Sequence, residues 1–535
     1  MISAQKARKR PSDRRQTETD KTPLATPQPF PAPVGGWVDG IRGQNTARVL
    51  ENGFPLTTTV RVRSGCAQAA FITDPVVSMF TYETAAAEKI FAASATDVYD
   101  ISALNPLSAP TADITGQTGG YYVSAQLGTV GGDYMYIVNG ADNAQLFDGT
   151  TWTQITGVSS PAMTGVDTSN LSYVWVFKNR FWFIEKDTNK VWYLPVDSIS
   201  GTLTDFSLEG VFQEGGSLLF GASWSSDAGD GMDDRQVFMS TTGEVAVYQG
   251  SDPSDATKWS MVGLYSIQEA MGPKAHIRAG GDVLIATKAG LIPMSAVVAK
   301  DPEALGLNSV SSDILASWQS QTNASSSATP WELIKWPREQ MLFASLPHDT
   351  DDNYVANLNT GAWAKYTGWD AQALGVFNTL LYFGSADGYI YAAESGGSDN
   401  GSAYEFRMSM SPTDLGGGAH IKTVSAMQAT FLATTEIIPK LSVSTDYDVN
   451  FPSAPTVSES VGGSEGWDVG LWDTAVWDGS SDVEIKPVYR TRWTSVAGNG
   501  FAVAPQIQIT LGGTGSHDAE LASIDILYSV GAAVV

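Results

Sequence analysis

Residues 179–194 read NRFWFIEKDTNKVWYL, and this stretch carries the pattern that decides the fold. Two short runs rich in aromatic and β-branched residues flank a polar turn, which is typical of a β-hairpin. Six further stretches repeat the pattern. They are EKIFAASATDVYDI (88–101), YMYIVNGADNAQLFDG (134–149), RQVFMSTTGEVAVYQG (235–250), GDVLIATKAGLIPMS (281–295), QMLFASLPHDTDDNYVANL (340–358) and TLLYFGSADGYIYAA (379–393).

The seven hairpins recur on one length scale. Their turns lie 37 to 61 residues apart, close to the roughly 40–50 residues of one propeller blade. Each hairpin would supply two strands of a four-stranded blade, and radial closure would protect the sheet edges. We therefore expect an all-β protein with a β-propeller of about seven blades over residues 76–400. The alternative is a sandwich of unrelated hairpins.

Beyond residue 400 the strands become longer. In residues 501–512, Ile507, Ile509 and Leu511 alternate with polar residues, which indicates a half-buried strand. Residues 401–535 are therefore expected to form a separate β-sandwich, the platform domain.

The segment 34–75 is too short to fold alone, so we expect it to complete the platform or to close the propeller. Little helix is expected. The clearest helix is SVSSDILASWQSQ (309–321), where Ile314, Leu315 and Trp318 follow helical spacing after a Ser-Ser-Asp start.

Charge is sparse and one-sided. Asp and Glu number 57 against 31 Lys and Arg, so the formal charge is −26. This balance argues against sequence-independent binding of nucleic acid, because such binding requires basic side chains that neutralise phosphates. Residues 197–234 and 446–484 each hold many acids and no Lys or Arg. Together they indicate a surface that repels anions, although solubility alone would explain either one.

Residues 1–33 form a basic arm followed by prolines at 23, 27, 29, 31 and 33. Such an arm is either a solvated tail or a peptide that docks on an acidic neighbour or a phosphate backbone. The candidate docking residues are Lys6, Arg8, Lys9, Arg10, Arg14 and Arg15.

The sequence offers little for catalysis or cofactor binding. There is no Gly-Lys dipeptide for a phosphate loop, and no HExxH or CxxC motif. Cys66 is the single cysteine, and four scattered histidines offer little for a metal site. FDGTTW (147–152) approaches a sialidase Asp-box, but we expect Asp148 to form a turn and Trp152 to pack between blades. We predict no enzyme activity, no cofactor and no metal.

Several phrases, in one order along the chain, resemble the tail nozzle (tail tubular protein B-type) family of short-tailed bacteriophages. No single phrase is catalytic, and the specificity comes from their joint order over roughly residues 36–535. The phrases are GEVAVYQGSDP (243–253), GGDVLIATKAGLIPMS (280–295), TGAWAKYTGWDA (360–371), LYFGSADGYIYAAESGGSDNG (381–401), KTVSAMQATFLA (422–433) and ELASIDILYSVG (520–531).

The resemblance implies a structural virion protein made in the host cytoplasm. Nozzles of this family form a homo-oligomeric ring, generally a hexamer, below the portal and its adaptor, and work with tail fibre or spike proteins. The ring lines the channel that retains and ejects the genome, so double-stranded DNA would pass transiently, and no membrane insertion is expected. The longer tubular proteins carry inserted domains for which this chain has little room.

An acidic body would let DNA slide through such a channel without binding. The candidate channel-lining residues are Glu459, Glu465, Asp468 and Asp473. The alternative function is a carbohydrate-binding or polysaccharide-degrading propeller, that is, a lectin or depolymerase. Propeller glycosidases work with paired carboxylates, which are abundant here.

Overall fold

The structure is a computed structural model of the 535-residue chain. It describes residues 26–41, 43, 45–225, 234–299, 305–325, 330–346, 352–434, 437–460 and 486–533. The protein is all-β with about 5% helix, and six small sheets are arranged as the blades of a β-propeller. The predicted fold class is confirmed.

Five strands lie before blade one along the chain. They are β1 (Thr26–Pro31), β2 (Ala47–Glu51), β3 (Gly53–Pro55), β4 (Val60–Val62) and β5 (Ala67–Phe71).

The next strands form the first five blades. Blade one holds β6 (Ser78–Glu83), β7 (Glu88–Ala93) and β8 (Val98–Asp100). Blade two holds β9 (Val123–Thr129), β10 (Gly132–Val138), β11 (Gln145–Phe147) and β12 (Trp152–Gln154). Blade three holds β14 (Leu171–Phe177), β15 (Arg180–Glu185), β16 (Lys190–Tyr193) and β18 (Thr204–Ser207), beside a parallel pair of β13 (Met163–Thr164) and β17 (Gly201–Thr202). Blade four holds β19 (Leu218–Trp224), β20 (Arg235–Ser240), β21 (Glu244–Gly250) and β22 (Trp259–Ser266). Blade five holds β23 (His276–Ala279), β24 (Asp282–Thr287) and β25 (Gly290–Pro293).

The hairpin of residues 179–194 forms β15 and β16, as its sequence predicts. Trp182 lies opposite Tyr193, and Ile184 lies opposite Val191. All four side chains are buried in one apolar core shared by blades two to five. The strands form because their aromatic and branched residues fill the space between adjacent sheets.

Between blades five and six the chain forms its helices and four strands of a larger sheet. The elements are α1 (Met294–Ala299), α2 (Leu315–Ala324), β26 (Glu332–Trp336), β27 (Met341–Ser345), β28 (Asp352–Asn357) and β29 (Trp363–Thr367). Helix α2 confirms the helix expected within residues 309–321. Its Trp318 is fully buried and donates from Nε1 to the Thr287 carbonyl at 2.8 Å, so this helix packs against the last strands of blade five.

The sixth blade is completed by a strand from the start of the chain. Strands β30 (Ala373–Phe377), β31 (Leu380–Gly384) and β32 (Tyr389–Ala392) pair in order, and β5 pairs with β32 as the fourth strand. Strand β30 contacts β6 of blade one. The ring is therefore closed by joining distant parts of the chain.

The platform consists of two large sheets. The remaining strands are β33 (Tyr404–Met410), β34 (His420–Ala433), β35 (Lys440–Thr445), β36 (Val457–Ser460), β37 (Val488–Arg490), β38 (Thr494–Gly500), β39 (Val503–Gly513) and β40 (Ala519–Ala533). The nine-stranded sheet runs β26-β27-β28-β29-β2-β33-β39-β35, with β36 beside β39. The seven-stranded sheet runs β3-β4-β40-β34-β37, with β1 beside β40 and β38 beside β34. Both sheets contribute to one core.

One of the seven predicted hairpins lies in the nine-stranded sheet. Residues 340–358 form β27 and β28, while the other six hairpins belong to the six small sheets. The first strand of this larger sheet, β26, contacts β23 of blade five and β30 of blade six. The predicted number of about seven blades therefore includes this hairpin in addition to the six separate blades of the structure. The nine-stranded sheet also takes strands from both sides of residue 400.

Strand β39 corrects the expectation of a half-buried strand. Ile507, Ile509 and Leu511 are buried as expected, but Gln506 and Gln508 on the opposite face are also buried. Gln508 donates from Nε2 to Glu405 at 3.0 Å. The polar side chains can be buried here because neighbouring strands supply hydrogen-bond partners in place of water.

Candidate functional site

Most of the predicted site residues lie outside the described residues. This holds for the basic arm (Lys6, Arg8, Lys9, Arg10, Arg14 and Arg15) and for Glu465, Asp468 and Asp473. Glu459 lies in β36, which runs parallel to β39 and places its backbone opposite Gly512. The assignment of these acids to a channel therefore stays a prediction.

The first acidic stretch is exposed where the structure describes it. Asp197, Asp205, Glu209 and Glu214 are all exposed, on the outer strand of blade three and the segments beside it. Asp234 differs, because it is buried and lies 2.5 Å from Lys178 Nζ. The outer side of blade three thus presents negative charge to solvent.

A buried arginine joins the platform to the sixth blade. Arg63, in the link between β4 and β5, has no exposed side-chain surface. Its Nη1 and Nη2 donate to the two Asp399 carboxylate oxygens at 2.8 and 2.7 Å. The three other N–H groups donate to Asn52 Oδ1 and to the carbonyls of Ser64 and Thr367. All five guanidinium donors are satisfied, as burial of this group requires.

Aromatic rings enclose the same guanidinium. Its central carbon lies 4.0 Å from the ring centroid of Tyr404 and 4.6 Å from that of Trp369. Trp369 Nε1 also donates to Asp399 at 3.0 Å. We call Arg63, Asp399, Trp369, Tyr404 and Asn52 the junction cluster. It joins the segment between β4 and β5 to the loop after β32.

A pocket of about 470 Å³ opens beside the junction cluster. Phe383 stacks on Trp369 at 5.2 Å and on Tyr391 at 5.3 Å between ring centroids. Of the lining carboxylates, Asp370 accepts from the Ser385 hydroxyl and the Ala386 amide, and Asp387 accepts from the Tyr391 hydroxyl. These carboxylates hold the loops that shape the pocket.

Cys66 also lines this pocket and is 6% exposed. Burial, reinforced by the nearby Asp399 carboxylate, raises the pKa of the Cys66 thiol to about 12. The thiol is therefore protonated at neutral pH and a poor nucleophile.

A second polar cluster lies at the propeller centre, where the first strands of successive blades contact one another. Lys274 Nζ lies 3.3 Å from Glu332 Oε1 and 5.0 Å from the Tyr121 ring centroid. Nearby, the Tyr173 hydroxyl lies 3.3 Å from His276 Nε2, and the His276 ring stacks on a phenylalanine of β19 at 4.1 Å. We call Tyr121, Tyr173, Lys274, His276 and Glu332 the propeller-centre cluster.

Burial controls the protonation of this cluster. It lowers the pKa of His276 to about 4 and so keeps the imidazole neutral at pH 7. Burial also raises the pKa of Glu332, and the Lys274 ammonium opposes this shift. The cluster thus combines a neutral imidazole with a buried Lys274–Glu332 ion pair.

The Asp-box resemblance at residues 147–152 is structural, as expected from the sequence. Asp148 accepts from the Thr150 and Thr151 amides at 2.8 and 2.7 Å and so forms the turn between β11 and β12. Trp152 packs on Phe91 of blade one and Phe147 of blade two, with centroids 5.1 and 4.8 Å apart. The residues thus fix the contact between two blades.

Sequence reasoning missed both polar clusters. The only signal for Arg63 was the alternation VRVR at residues 60–63, which resembles an ordinary strand with one solvent face. Lys274, His276 and Glu332 are single polar residues among apolar ones and form no motif. Among the described residues no group of three His, Cys, Asp or Glu could hold a metal ion. Within the same residues, no helix is long and apolar enough to cross a membrane.

No family model matches this chain, and no curated protein matches it. Its structure resembles the computationally designed Ika8 protein (TM-score 0.37, 10% identity, 62% of this chain and 99% of that chain). It also resembles the β-propeller domain of Cps50 (Swd1) from Myceliophteria thermophila (TM-score 0.38, 9% identity, 62% and 99%). A third is BBS1N in complex with ARL6DN (TM-score 0.39, 9% identity, 62% and 97%). At such low TM-scores these likenesses carry no argument about function.

Proposed function

We propose that this chain is a structural virion protein that forms the tail nozzle of a short-tailed phage. In this proposal copies assemble into a ring, generally six-fold, below the portal and adaptor and in contact with fibre or spike proteins. The ring surrounds the DNA during retention and ejection, and the protein has no enzymatic role. It is made in the host cytoplasm and resides in the virion.

The observation that carries the proposal is the net charge of −26 on an all-β body. Phosphates of passing DNA are repelled by such a surface, so transit meets no strong binding. The exposed acids Asp197, Asp205, Glu209 and Glu214 support this. The ordered phrases that resemble nozzle proteins supply the specific assignment.

The proposal is tested by the mass and shape of the purified protein. We expect a ring with an open axis by light scattering and negative-stain microscopy, alone or with the adaptor. A stable monomer that retains or cleaves polysaccharide would contradict it.

The channel surface is tested separately in assembled particles. Neutralising Glu459, Glu465, Asp468 and Asp473 to the matching amides is expected to slow genome ejection, because DNA would meet less repulsion. A second variant neutralises Asp197, Asp205, Glu209 and Glu214 beside blade three and tests whether the other acidic stretch also faces the DNA. If ejection kinetics do not change in the first variant, those four acids lie outside the channel.

A carbohydrate-binding or polysaccharide-degrading propeller is the second candidate. It is favoured by the pocket of about 470 Å³, which is lined by Tyr391 and by carboxylates such as Asp387 and Glu405. A few polar groups placed in a pocket can hydrogen-bond to a small ligand such as a sugar. Titration of host polysaccharide by calorimetry tests it, with Tyr391→Ala as the variant expected to lose binding.

A further inference from the structure

The two edges of the seven-stranded sheet differ in their capacity to pair with another strand. Strand β1 runs along β40, and the Ala32 amide donates to the Ala522 carbonyl at 3.0 Å. Because successive residues of a strand point to opposite sides, Pro27, Pro29 and Pro31 lie on the outward side. Proline has no N–H, so the β1 part of this edge offers no donors to a further strand.

The opposite edge, β37 and β38, is open in the part of the chain that the structure describes. Both strands pair with β34 and with no other described strand. The Thr491 amide donates to the Ala429 carbonyl, and the Ala433 amide donates to the Pro487 carbonyl. By the same alternation, the amides and carbonyls of Val488 and Arg490 point away from the sheet.

The side chains of this edge have the composition of a protein interface. Val488 is 66% exposed and Trp493 is 44% exposed. Arg490 and Arg492 are also exposed, and neither forms an ion pair with a described residue. Tryptophan and arginine are the residue types most enriched where binding energy concentrates.

Charge distinguishes this edge from the rest of the molecule. No Asp or Glu occurs between Glu484 and Asp518, which is the longest such interval in the chain. The chain as a whole carries −26, so two copies repel each other wherever acidic surfaces meet. A contact between copies is favoured where one of them presents positive charge.

We propose that the β37–β38 edge binds an acidic surface of a second copy of this chain. This inference rests on the ring of copies proposed above. Two such edges do not pair with each other, because Arg490 and Arg492 would face like charges. The proline-bearing edge at β1 cannot supply a complementary strand. The neighbour therefore presents a different surface, and a head-to-tail contact of this kind generates a ring when the rotation between copies closes.

The test reverses the charge of the edge. We expect Arg490→Glu with Arg492→Glu to raise the apparent dissociation constant between copies at least about thirtyfold, and Trp493→Ala to do so to a similar extent. Native mass spectrometry and light scattering over a concentration series measure it. Arg278→Glu, at an exposed arginine on β23, is the matched control and is expected to leave assembly unchanged. Thermal unfolding of each variant checks that the fold is retained.

A photo-crosslinking residue in place of Trp493 identifies the occupant directly. We expect crosslinked dimers in which the second peptide is acidic and comes from another copy. This inference is overturned if rings persist in the charge-reversed variant. It is also overturned if crosslinks form only within one chain or only to another protein. These outcomes do not contradict the nozzle proposal. A wild-type chain that stays monomeric at every concentration and with the adaptor overturns both.

Discussion

The junction cluster and the propeller-centre cluster each bury a cation beside a carboxylate, yet they are built differently. Arg63 makes two short bonds to Asp399 and satisfies every donor, with a fully buried side chain. Lys274 meets Glu332 through one contact of 3.3 Å. Arginine suits the first site because its planar fork matches a carboxylate and remains charged under burial.

The difference shows that burial alone does not decide whether an ion pair persists. At the propeller centre, desolvation outweighs the attraction of Lys274 and raises the pKa of Glu332. At the junction, five hydrogen bonds and two aromatic rings replace the water that Arg63 loses on folding. The buried guanidinium of Arg63 is thus fully hydrogen-bonded, whereas the Glu332 carboxyl at the propeller centre gains a proton more readily than an exposed carboxyl.

The largest effect is expected at the junction. Arg63→Met leaves the largely buried Asp399 carboxylate without its ion-pair partner, so the free energy of unfolding should fall by about 3–5 kcal/mol. Chemical denaturation followed by tryptophan fluorescence measures it. Arg407→Met, which removes a more exposed ion pair with Glu405, should cost only about 0–1 kcal/mol. Equal losses in the two variants would show that the junction is no stronger than a surface pair.

A smaller, pH-dependent effect is expected at the propeller centre. A carboxyl whose pKa is raised in the folded state adds stability below its unfolded pKa, and loses it as pH rises through the folded pKa. Glu332→Gln should therefore gain stability relative to wild type as the pH rises from about 4 toward 7, by under about 2 kcal/mol. Urea unfolding of both proteins across this range checks the sign. A constant difference would mean that Glu332 titrates normally.

The smallest effect concerns reactivity rather than stability. With its thiol pKa raised to about 12, Cys66 should react with a disulfide reagent at pH 8 at least about a hundredfold more slowly than free cysteine. Arg63→Met should accelerate the reaction by loosening the junction. A fast reaction in the wild-type protein would indicate that the pocket beside the cluster opens readily.

The sequence predicted the elements that depend on local patterns. The hairpin of residues 179–194, the helix around Trp318 and the turn at Asp148 follow from periodicity and turn chemistry, and the structure confirms them. The placement of the 340–358 hairpin in a larger sheet could not be predicted, because its local pattern equals that of a blade. Gln506 and Gln508 were misjudged because alternation does not reveal what covers the polar face.

By itself the sequence determined an acidic, all-β chain with repeated hairpins, since strand period and turn residues act over a few positions. Only the tertiary structure decided which hairpins form separate blades and which strands join them. It brought Arg63 to Asp399 and paired β5 with β32 across more than 300 residues. Such contacts form because buried charges need oppositely charged or hydrogen-bonding partners and because strand edges need other strands beside them. Both conditions depend on the assembled fold.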